Sequence, residues 1–222
     1  MDQKIPFTSY DFWAYLSAGF LLLFAVDSVA GMRLMMRDNW TAVQGVVAVS
    51  LAYAIGHLAA SLSSFVLERG LVGRVLGHPR HVLFGEAKAP GWLQKLLPGY
   101  FQPLPAETQA AALTIGATAS VTSPGEALFW PAHVYARQNA AVLPRLENFL
   151  NQYGFCRNIA LVALLDAALW YWSYWQPKGP EEHLLWARLA ALIGVGMTLR
   201  YLKFYRLYGV EVFTAYAYKK AD

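Results

Sequence analysis

The stretch "NWTAVQGVVAVSLAYAIGHLAASLSSFVL" (residues 39–67) decides the fold class of this protein. It contains 29 consecutive residues without an Asp, Glu, Lys or Arg. A helix needs only about 20 predominantly apolar residues to cross the hydrocarbon core of a bilayer. The stretch therefore predicts a transmembrane helix, which we call span two.

The composition of the whole chain agrees with a membrane location. Charged residues make up 14% and hydrophobic residues 57% of the 222 residues, whereas a typical soluble domain is about 25% charged. A soluble protein would need a large partner to cover so much apolar surface, so we expect an integral membrane protein. The single cysteine, Cys156, excludes an intramolecular disulfide, and we interpret it as a buried packing residue.

Three further apolar segments, residues 12–32, 158–175 and 184–202, predict spans one, three and four. A cleaved signal peptide is the alternative interpretation of the first, but a strongly basic region does not precede it. The predicted fold is all-α, a four-transmembrane-helix membrane protein. We expect a transmembrane hairpin over residues 1–67, a small helical cytosolic domain over 68–157, and a second hairpin with an extended, cytosolic C-terminal helix over 158–222.

The distribution of cations predicts the orientation. Of the 18 Lys and Arg residues, 14 lie in the N-terminal segment, in residues 68–157 or in the tail from Arg200. Four crossings place these three regions on one side, and Lys and Arg are enriched in cytoplasmic loops. We therefore expect a multi-pass protein of the bacterial inner membrane with both termini in the cytoplasm.

Span two carries a polar stripe at three- and four-residue spacing, formed by Ser50, Tyr53, His57, Ser61 and Ser64. Because polar groups are costly to bury in lipid, the stripe predicts either a water-filled, pore-lining face or interhelical hydrogen bonding. Small residues recur at every fourth position from Ala48 to Ser64 and predict close helix packing. Together these patterns lead us to expect a homo-oligomer.

Two charged residues within spans three and four are candidates for a structural ion pair. Asp166 lies nine residues before Trp175, and Arg188 lies about five residues inside the start of span four. The short connection "QPKGPEEH" closes these spans into a tight hairpin, in which the two side chains can meet. A charge inside a membrane is stabilised by an opposite charge, so we predict that they pair. An ion pathway that uses them is the alternative.

The segment "LRYLKFYRLYGVEVFTAYAYKK" (residues 199–220) predicts an amphipathic helix that continues beyond span four. Its cations share one face and its tyrosines another. The cations are either topology anchors that touch anionic lipid or, with Arg157, a surface for a phosphate-bearing ligand that stacks on tyrosines. The candidate ligand-binding residues are Arg157, Arg200, Lys203, Arg206, Tyr201 and Tyr205.

No motif of an enzyme or of a cofactor site stands out. The sequence holds no recognisable nucleophile–base pair, and we expect neither catalysis nor a cofactor. His78 and His81 lie three residues apart, but no cysteine or second histidine pair supplies further ligands, so we expect no metal site.

The segment "ENFLNQYGFCRN" (residues 147–158), followed by "RYLKFYRLYGVEVFTAYA" (residues 200–217), resembles small multi-span membrane effectors of bacterial anti-phage defence operons. The resemblance lies in the layout of the last third of the chain, and no residue-level motif transfers with it. In that class a partner enzyme makes a nucleotide signal, and the membrane protein responds by permeabilising the inner membrane. The resemblance thus implies an ion-channel-type effector.

Three functional hypotheses follow. The first is an oligomeric inner-membrane pore that is gated by an anionic, nucleotide-like ligand or an oligonucleotide at its cytosolic surface. The second is a non-conducting membrane scaffold or sensor subunit that recruits a soluble partner protein. The third is a small transporter or proton relay that uses Asp27, His57 and Asp166.

Overall fold

The computed structural model describes residues 9–86, 89–118, 121 and 123–219, with side chains from Ala14 onward. Within these ranges the chain forms helices, turns and loops but no β-strand, which confirms the predicted all-α class. Lys4, which contributed to the predicted orientation, lies outside the described residues.

Over the residues that the structure describes, the fold consists of four long helices and five short ones. The long helices are α1 (Ser9–Ala30), α2 (Ala42–Ser63), which continues directly as a π-helical segment (Ser64–Leu76), α8 (Leu143–Tyr174) and α9 (Glu182–Ala217). The short helices are α3 (Pro79–Val82), α4 (Gly91–Leu96), α5 (Pro98–Phe101), α6 (Ala106–Thr118) and α7 (Glu126–Gln138).

Three helical runs of the described chain are long and apolar enough to cross a membrane, namely Ala42–Val82, Leu143–Tyr174 and Glu182–Ala217. They correspond to predicted spans two, three and four. The apolar stretch of α1 whose side chains are described, Ala14–Ala30, is shorter than these. The structure therefore supports three of the four spans, and a crossing by α1 remains a prediction.

A capping box explains where α2 begins. The Gln44 backbone N–H donates to the Thr41 hydroxyl at 3.3 Å, and the Thr41 backbone N–H donates to Gln44 Oε1 at 3.0 Å. This reciprocal pair satisfies backbone donors that the first helical turn leaves without partners. The helix therefore starts at Ala42, three residues after the predicted start of span two.

The described chain divides into two compact units, each built from two stretches of sequence. The first unit consists of Met1–Leu67 and Gly154–Tyr201, and the second consists of Glu68–Tyr153 and Leu202–Asp222. The boundary after Leu67 coincides with a predicted domain boundary. The two later boundaries fall inside α8 and α9, which have 32 and 36 residues and so exceed the ~20 that a span needs.

In the first unit, α1 and α2 pack backbone against backbone. A Cβ atom at Gly56 would collide with the Tyr15 carbonyl, and one at Gly19 would collide with the Ala52 carbonyl. Small side chains permit this close approach of two apolar helices. The ladder of small residues on α2 therefore packs within the protomer.

A buried hydrogen-bond network joins α1, α8 and α9 in the first unit. Trp170 Nε1 donates to Ser28 Oγ at 3.3 Å, and the His183 ring is hydrogen-bonded to Ser28 Oγ at 3.2 Å and to Ser173 Oγ at 2.9 Å. His183 is only 4% exposed. Because buried polar groups need hydrogen-bond partners, the two hydroxyl groups that contact the ring nitrogens allow His183 to be buried.

In the second unit, the end of α9 forms part of the hydrophobic core. Phe213 is fully buried, and its ring meets those of Phe84 and Phe129 edge-on, with centroids 4.9 and 6.0 Å apart. Val212 and Tyr216 are buried in the same cluster. Burial of this apolar face keeps α9 helical beyond residue 202, where predicted span four ends.

Candidate functional site

The second unit contains a cavity of about 260 Å³ lined by histidines, tyrosines and other aromatic residues. We call it the histidine–tyrosine cavity. Both signs of charge and five aromatic rings are present in its wall, which is formed by Glu68, His78, Pro79, Arg80, Phe129, Trp130, His133, Tyr153, Tyr205, Tyr208 and Gly209.

A sharp turn before α3 brings His78 and Arg80 to this cavity. Gly77 adopts a left-handed conformation with a φ of 86°, which a residue without a Cβ atom tolerates. His78 is extended, with a ψ of 144°, as is usual for a residue that precedes proline. Pro79 then starts α3, so the turn is encoded by the sequence Gly-His-Pro.

Helices α7 and α9 supply most of the aromatic wall through residues three or four positions apart. Phe129 and His133 are four apart on α7, and Tyr205 and Tyr208 are three apart on α9, so each pair lies on one helical face. A Cβ atom at Gly209 would lie 3.0 Å from Leu83 Cδ1. The glycine therefore allows α9 to approach the residues that follow α3.

Each histidine of the cavity is hydrogen-bonded to a tyrosine of α9. His78 Nδ1 lies 3.3 Å from the Tyr205 hydroxyl, and His133 Nε2 lies 2.8 Å from the Tyr208 hydroxyl. The Tyr153 ring contacts both tyrosine rings, with centroid distances of 5.2 and 6.2 Å. These contacts fix the orientation of the polar groups in the wall.

Arg80 offers a hydrogen-bond donor to an anion in this cavity. Burial lowers the pKa of His133 and the nearby Arg137 lowers it further, which favours the neutral imidazole. Arg80 Nη2 lies 3.5 Å from Glu126 Oε2, but the buried Arg80 Nε has no hydrogen-bond partner among the described residues. A buried donor without a partner is costly, and an anionic group in the cavity would satisfy it.

The predicted ligand-binding residues do not all lie at this cavity. Tyr205 lines it, whereas Arg206 donates from Nε and Nη2 to the Gln102 carbonyl at 3.3 and 2.7 Å and so fixes a backbone segment. Lys203 is exposed in the second unit. The remaining three, Arg157, Arg200 and Tyr201, belong to the first unit.

In the first unit, Arg157 and Tyr201 have surroundings of their own. Arg157 Nε donates to the Ser63 hydroxyl at 3.1 Å, and the Ser63 hydroxyl donates to Asn158 Oδ1 at 2.8 Å. Tyr201 is fully buried, whereas Arg200 is exposed. Arg157 is thus held by a polar cluster on α2 and α8.

The polar stripe of α2 is largely satisfied inside the protomer. Ser50 donates to the Val46 carbonyl at 2.8 Å, and Ser61 donates to the His57 carbonyl at 3.2 Å. His57 stacks on Tyr15 of α1 with centroids 4.0 Å apart and meets Tyr53 edge-on at 4.6 Å. Ser64 opens the π-helical segment. The serine hydrogen bonds lie within α2 itself, and the stacking of His57 on Tyr15 is the contact that joins the stripe to α1. A pore-lining role and interhelical hydrogen bonding both stay predictions.

The predicted ion pair between Asp166 and Arg188 does not form. Asp166 is buried, and its Oδ1 atom has no hydrogen-bond partner within the described part of the chain. Arg188 is exposed. The Asp166 side chain therefore lies inside the protein and that of Arg188 at its surface.

His78 and His81 each have a hydrogen-bond partner other than a metal. His81 Nδ1 lies 3.0 Å from Glu86 Oε2, and His78 is hydrogen-bonded to Tyr205. Over the residues that the structure describes, no group of three or more His, Cys, Asp or Glu side chains is placed to hold a metal ion.

Sequence reasoning missed most of the histidine–tyrosine cavity. His133, Trp130, Tyr153 and His78 are not among the predicted site residues. The single local signal is the run "FWPAHVY" (residues 129–135), where aromatic residues and a histidine fall on one helical face.

No protein-family model matches this sequence, and no curated protein or solved structure shows significant similarity to it.

Proposed function

We propose that this protein is a ligand-responsive membrane effector, with the histidine–tyrosine cavity as its receptor site for an anionic, nucleotide-like ligand. The observation that carries the proposal is the convergence of aromatic rings with the buried, unpartnered Arg80 Nε among the described residues of one cavity. A nucleotide offers a flat ring for the aromatic wall and a phosphate for the arginine.

The size of the cavity limits the ligand. A volume of about 260 Å³ is slightly below the ~300–1,000 Å³ of sites for drug-sized molecules. One base with its phosphate is therefore the unit that this cavity would hold, whether it is a free mononucleotide or one residue of a longer or cyclic oligonucleotide.

The continuity of α9 supports a coupling between ligand and membrane. Residues 182–201 of this helix belong to the first unit, and Tyr205 and Tyr208 line the cavity. A ligand that moves these tyrosines would displace the helix that carries predicted span four. In a homo-oligomer of the bacterial inner membrane, such a movement would open a pore along Ser50, Tyr53, His57, Ser61 and Ser64, as the resemblance to anti-phage effectors implies.

Dye and ion flux from proteoliposomes tests this function. The purified full chain is reconstituted and exposed to nucleoside monophosphates, cyclic dinucleotides and short oligonucleotides, while binding is measured by calorimetry. We expect flux only with a ligand, and Arg80→Gln should weaken binding about tenfold or more because a charge-assisted hydrogen bond is lost. Arg74→Gln is the matched control, since Arg74 is an exposed arginine of the second unit outside the cavity.

Two results would contradict the proposal. If no ligand bound, or if the Arg80 and Arg74 variants behaved alike, the cavity would not be the receptor site. Ligand binding without flux would reject the pore and leave a sensor or scaffold.

A scaffold is the second candidate because the second unit exposes large apolar side chains. Trp130 and Val134 are four residues apart on α7 and are 54% and 53% exposed, and Trp92 and Leu96 on α4 are 68% and 67% exposed. Large exposed apolar side chains that share a helical face are typical of surfaces that dock a partner. Trp92 and Leu96 do not line the histidine–tyrosine cavity. Their replacement by Ser should abolish partner capture if the protein is a scaffold, and should leave ligand-dependent flux intact if it is a pore.

A further inference from the structure

The first unit contains a second cavity, of about 320 Å³, between the end of α1, the connection to α2 and the start of α2. Its wall is apolar except for Asp27, Arg37 and Gln44. None of the predicted functions accounts for it, and it shares no residue with the histidine–tyrosine cavity.

The connection that roofs this cavity is fixed by Asp27. The backbone N–H of Leu34 donates to Asp27 Oδ1 and that of Met35 donates to Asp27 Oδ2, each at 2.9 Å. Two left-handed residues, Gly31 and Arg33, with φ values of 67° and 52°, turn the chain back over the end of α1. Hydrogen bonds therefore fix the connection over the cavity, and both carboxylate oxygens of Asp27 accept one of them.

The α2 side of the cavity calls for a hydrocarbon occupant. Val43, Val47 and Leu51 line it and are 73%, 51% and 52% exposed. They belong to a helical run that is apolar enough to cross a membrane. Only 17% of the apolar stretch of this run is buried within the protein. In a bilayer such side chains contact acyl chains rather than water.

The connection between α1 and α2 contributes side chains that suit a phosphate. Arg37 and Trp40 line the cavity, Arg37 is exposed and Trp40 is 41% exposed. Tryptophan and arginine are favoured at the level of the lipid headgroups, and the guanidinium binds phosphate through paired hydrogen bonds. Asp27, the acidic residue in the wall, accepts a backbone hydrogen bond at each carboxylate oxygen.

We propose that this cavity is a phospholipid site, in which one acyl chain lies against Val47 and Leu51 and the phosphate is bound by Arg37. The inference rests on the membrane placement in the proposed function, but not on the nucleotide ligand or the pore. Loss of nucleotide-dependent flux would leave it untouched, and loss of lipid binding would leave the receptor cavity untouched.

Native mass spectrometry of the full chain tests the site. The protein is delipidated in a mild detergent and then titrated with phosphatidylglycerol or phosphatidylethanolamine, and the lipid retained per protomer is counted. Val47→Trp fills the cavity, whereas Val46→Trp is its matched control, because Val46 is 67% exposed on the same helix and does not line the cavity. Arg37→Gln removes the phosphate partner, and Lys178→Gln is the control for an exposed cation elsewhere in the unit.

We expect one tightly retained lipid per protomer in the wild type, and about tenfold weaker retention in Val47→Trp and Arg37→Gln but not in the two controls. Retention of both lipids supports recognition of the shared phosphate, and retention of phosphatidylglycerol alone supports an anionic headgroup. If Val47→Trp and Val46→Trp retain lipid equally, only annular lipid is present and the proposal fails.

A crosslinking measurement on the wild type keeps the test independent of variant folding. A phospholipid with a photoreactive group on its acyl chain should label residues 32–51 several times more strongly than the other apolar segments. Even labelling along all of the apolar helices would overturn the site.

Discussion

The Tyr208 hydroxyl on α9 lies 2.8 Å from His133 Nε2 on α7, and these residues are 75 positions apart in the sequence. This hydrogen bond joins the extension of an apolar helix to a helix of the second unit, at the wall of the histidine–tyrosine cavity. It therefore contributes both to the stability of the unit and to the shape of the site.

Removal of this hydrogen bond should destabilise the second unit. Tyr208→Phe keeps the ring but leaves His133 Nε2 without its partner, so the free energy of unfolding should fall by about 1 kcal/mol. Chemical denaturation in detergent micelles measures the change. Tyr218→Phe is the control, because Tyr218 is 64% exposed and its hydroxyl makes only a 3.4 Å contact to Thr108. Equal stability of the two variants would mean that the bond is not formed in solution.

The lowered pKa of His133 predicts acid sensitivity. The unfolded histidine, with a pKa of about 6.5, takes up a proton at a higher pH than the folded one, whose pKa is lowered by burial and by Arg137. This contribution to stability is therefore fully present above pH ~6.5 and is lost as the pH falls through the folded pKa. We expect His133→Gln to flatten the pH dependence of unfolding in this range. A pH dependence of unfolding that His133→Gln leaves unchanged contradicts the assignment.

The sequence predicts the helices well because their signals are local. The uncharged run of residues 39–67 becomes α2, and the capping box of Thr41 and Gln44 sets its start. The amphipathic pattern after Arg200 predicts that α9 continues beyond its span, and the buried Phe213 and Tyr216 confirm this. These features depend on residues within one or two helical turns of each other.

The candidate site is not predictable in this way. The pairs His78–Tyr205 and His133–Tyr208 join residues 127 and 75 positions apart, and no periodicity encodes such pairings. Asp166 and Arg188 illustrate the same limit, because the rise of a helix sets the depth of each residue but packing sets the rotation. The sequence therefore predicts how far along its helix each residue lies, but not which side chains of different helices contact each other.

Because α1 and α2 are in backbone contact, one added methyl group at Gly56 should strongly lower the free energy of unfolding. Gly56→Ala would place a Cβ atom against the Tyr15 backbone carbonyl, which has no rotamer to change. The helices must separate, and we expect a loss of several kcal/mol in the free energy of unfolding. The control is Gly45→Ala on the same helix, where a Cβ atom meets nothing within 4 Å. That variant should be neutral or stabilised by up to ~1 kcal/mol through helix propensity. Comparable losses in both variants would show that α1 and α2 do not pack in this way.

The surroundings of Asp166 predict that it acts independently of Arg188. An ion pair would make Asp166→Asn and Arg188→Gln similarly destabilising, with a strong coupling between them. The structure instead gives Asp166 a buried Oδ1 atom without a partner among the described residues, and leaves Arg188 exposed. Arg188→Gln should then change the free energy of unfolding by no more than about 0.5 kcal/mol, as is usual for surface substitutions.

Asp166→Asn should be neutral or stabilising, because it removes a carboxylate that is costly to bury in charged form and retains nearly the same shape. A double-mutant cycle in detergent or bicelles separates the two cases. The structure predicts a coupling energy below about 0.5 kcal/mol, the range typical of side chains that share no partner. A coupling energy of about 2 kcal/mol or more, as expected for a buried ion pair, would restore the pair that the sequence predicts.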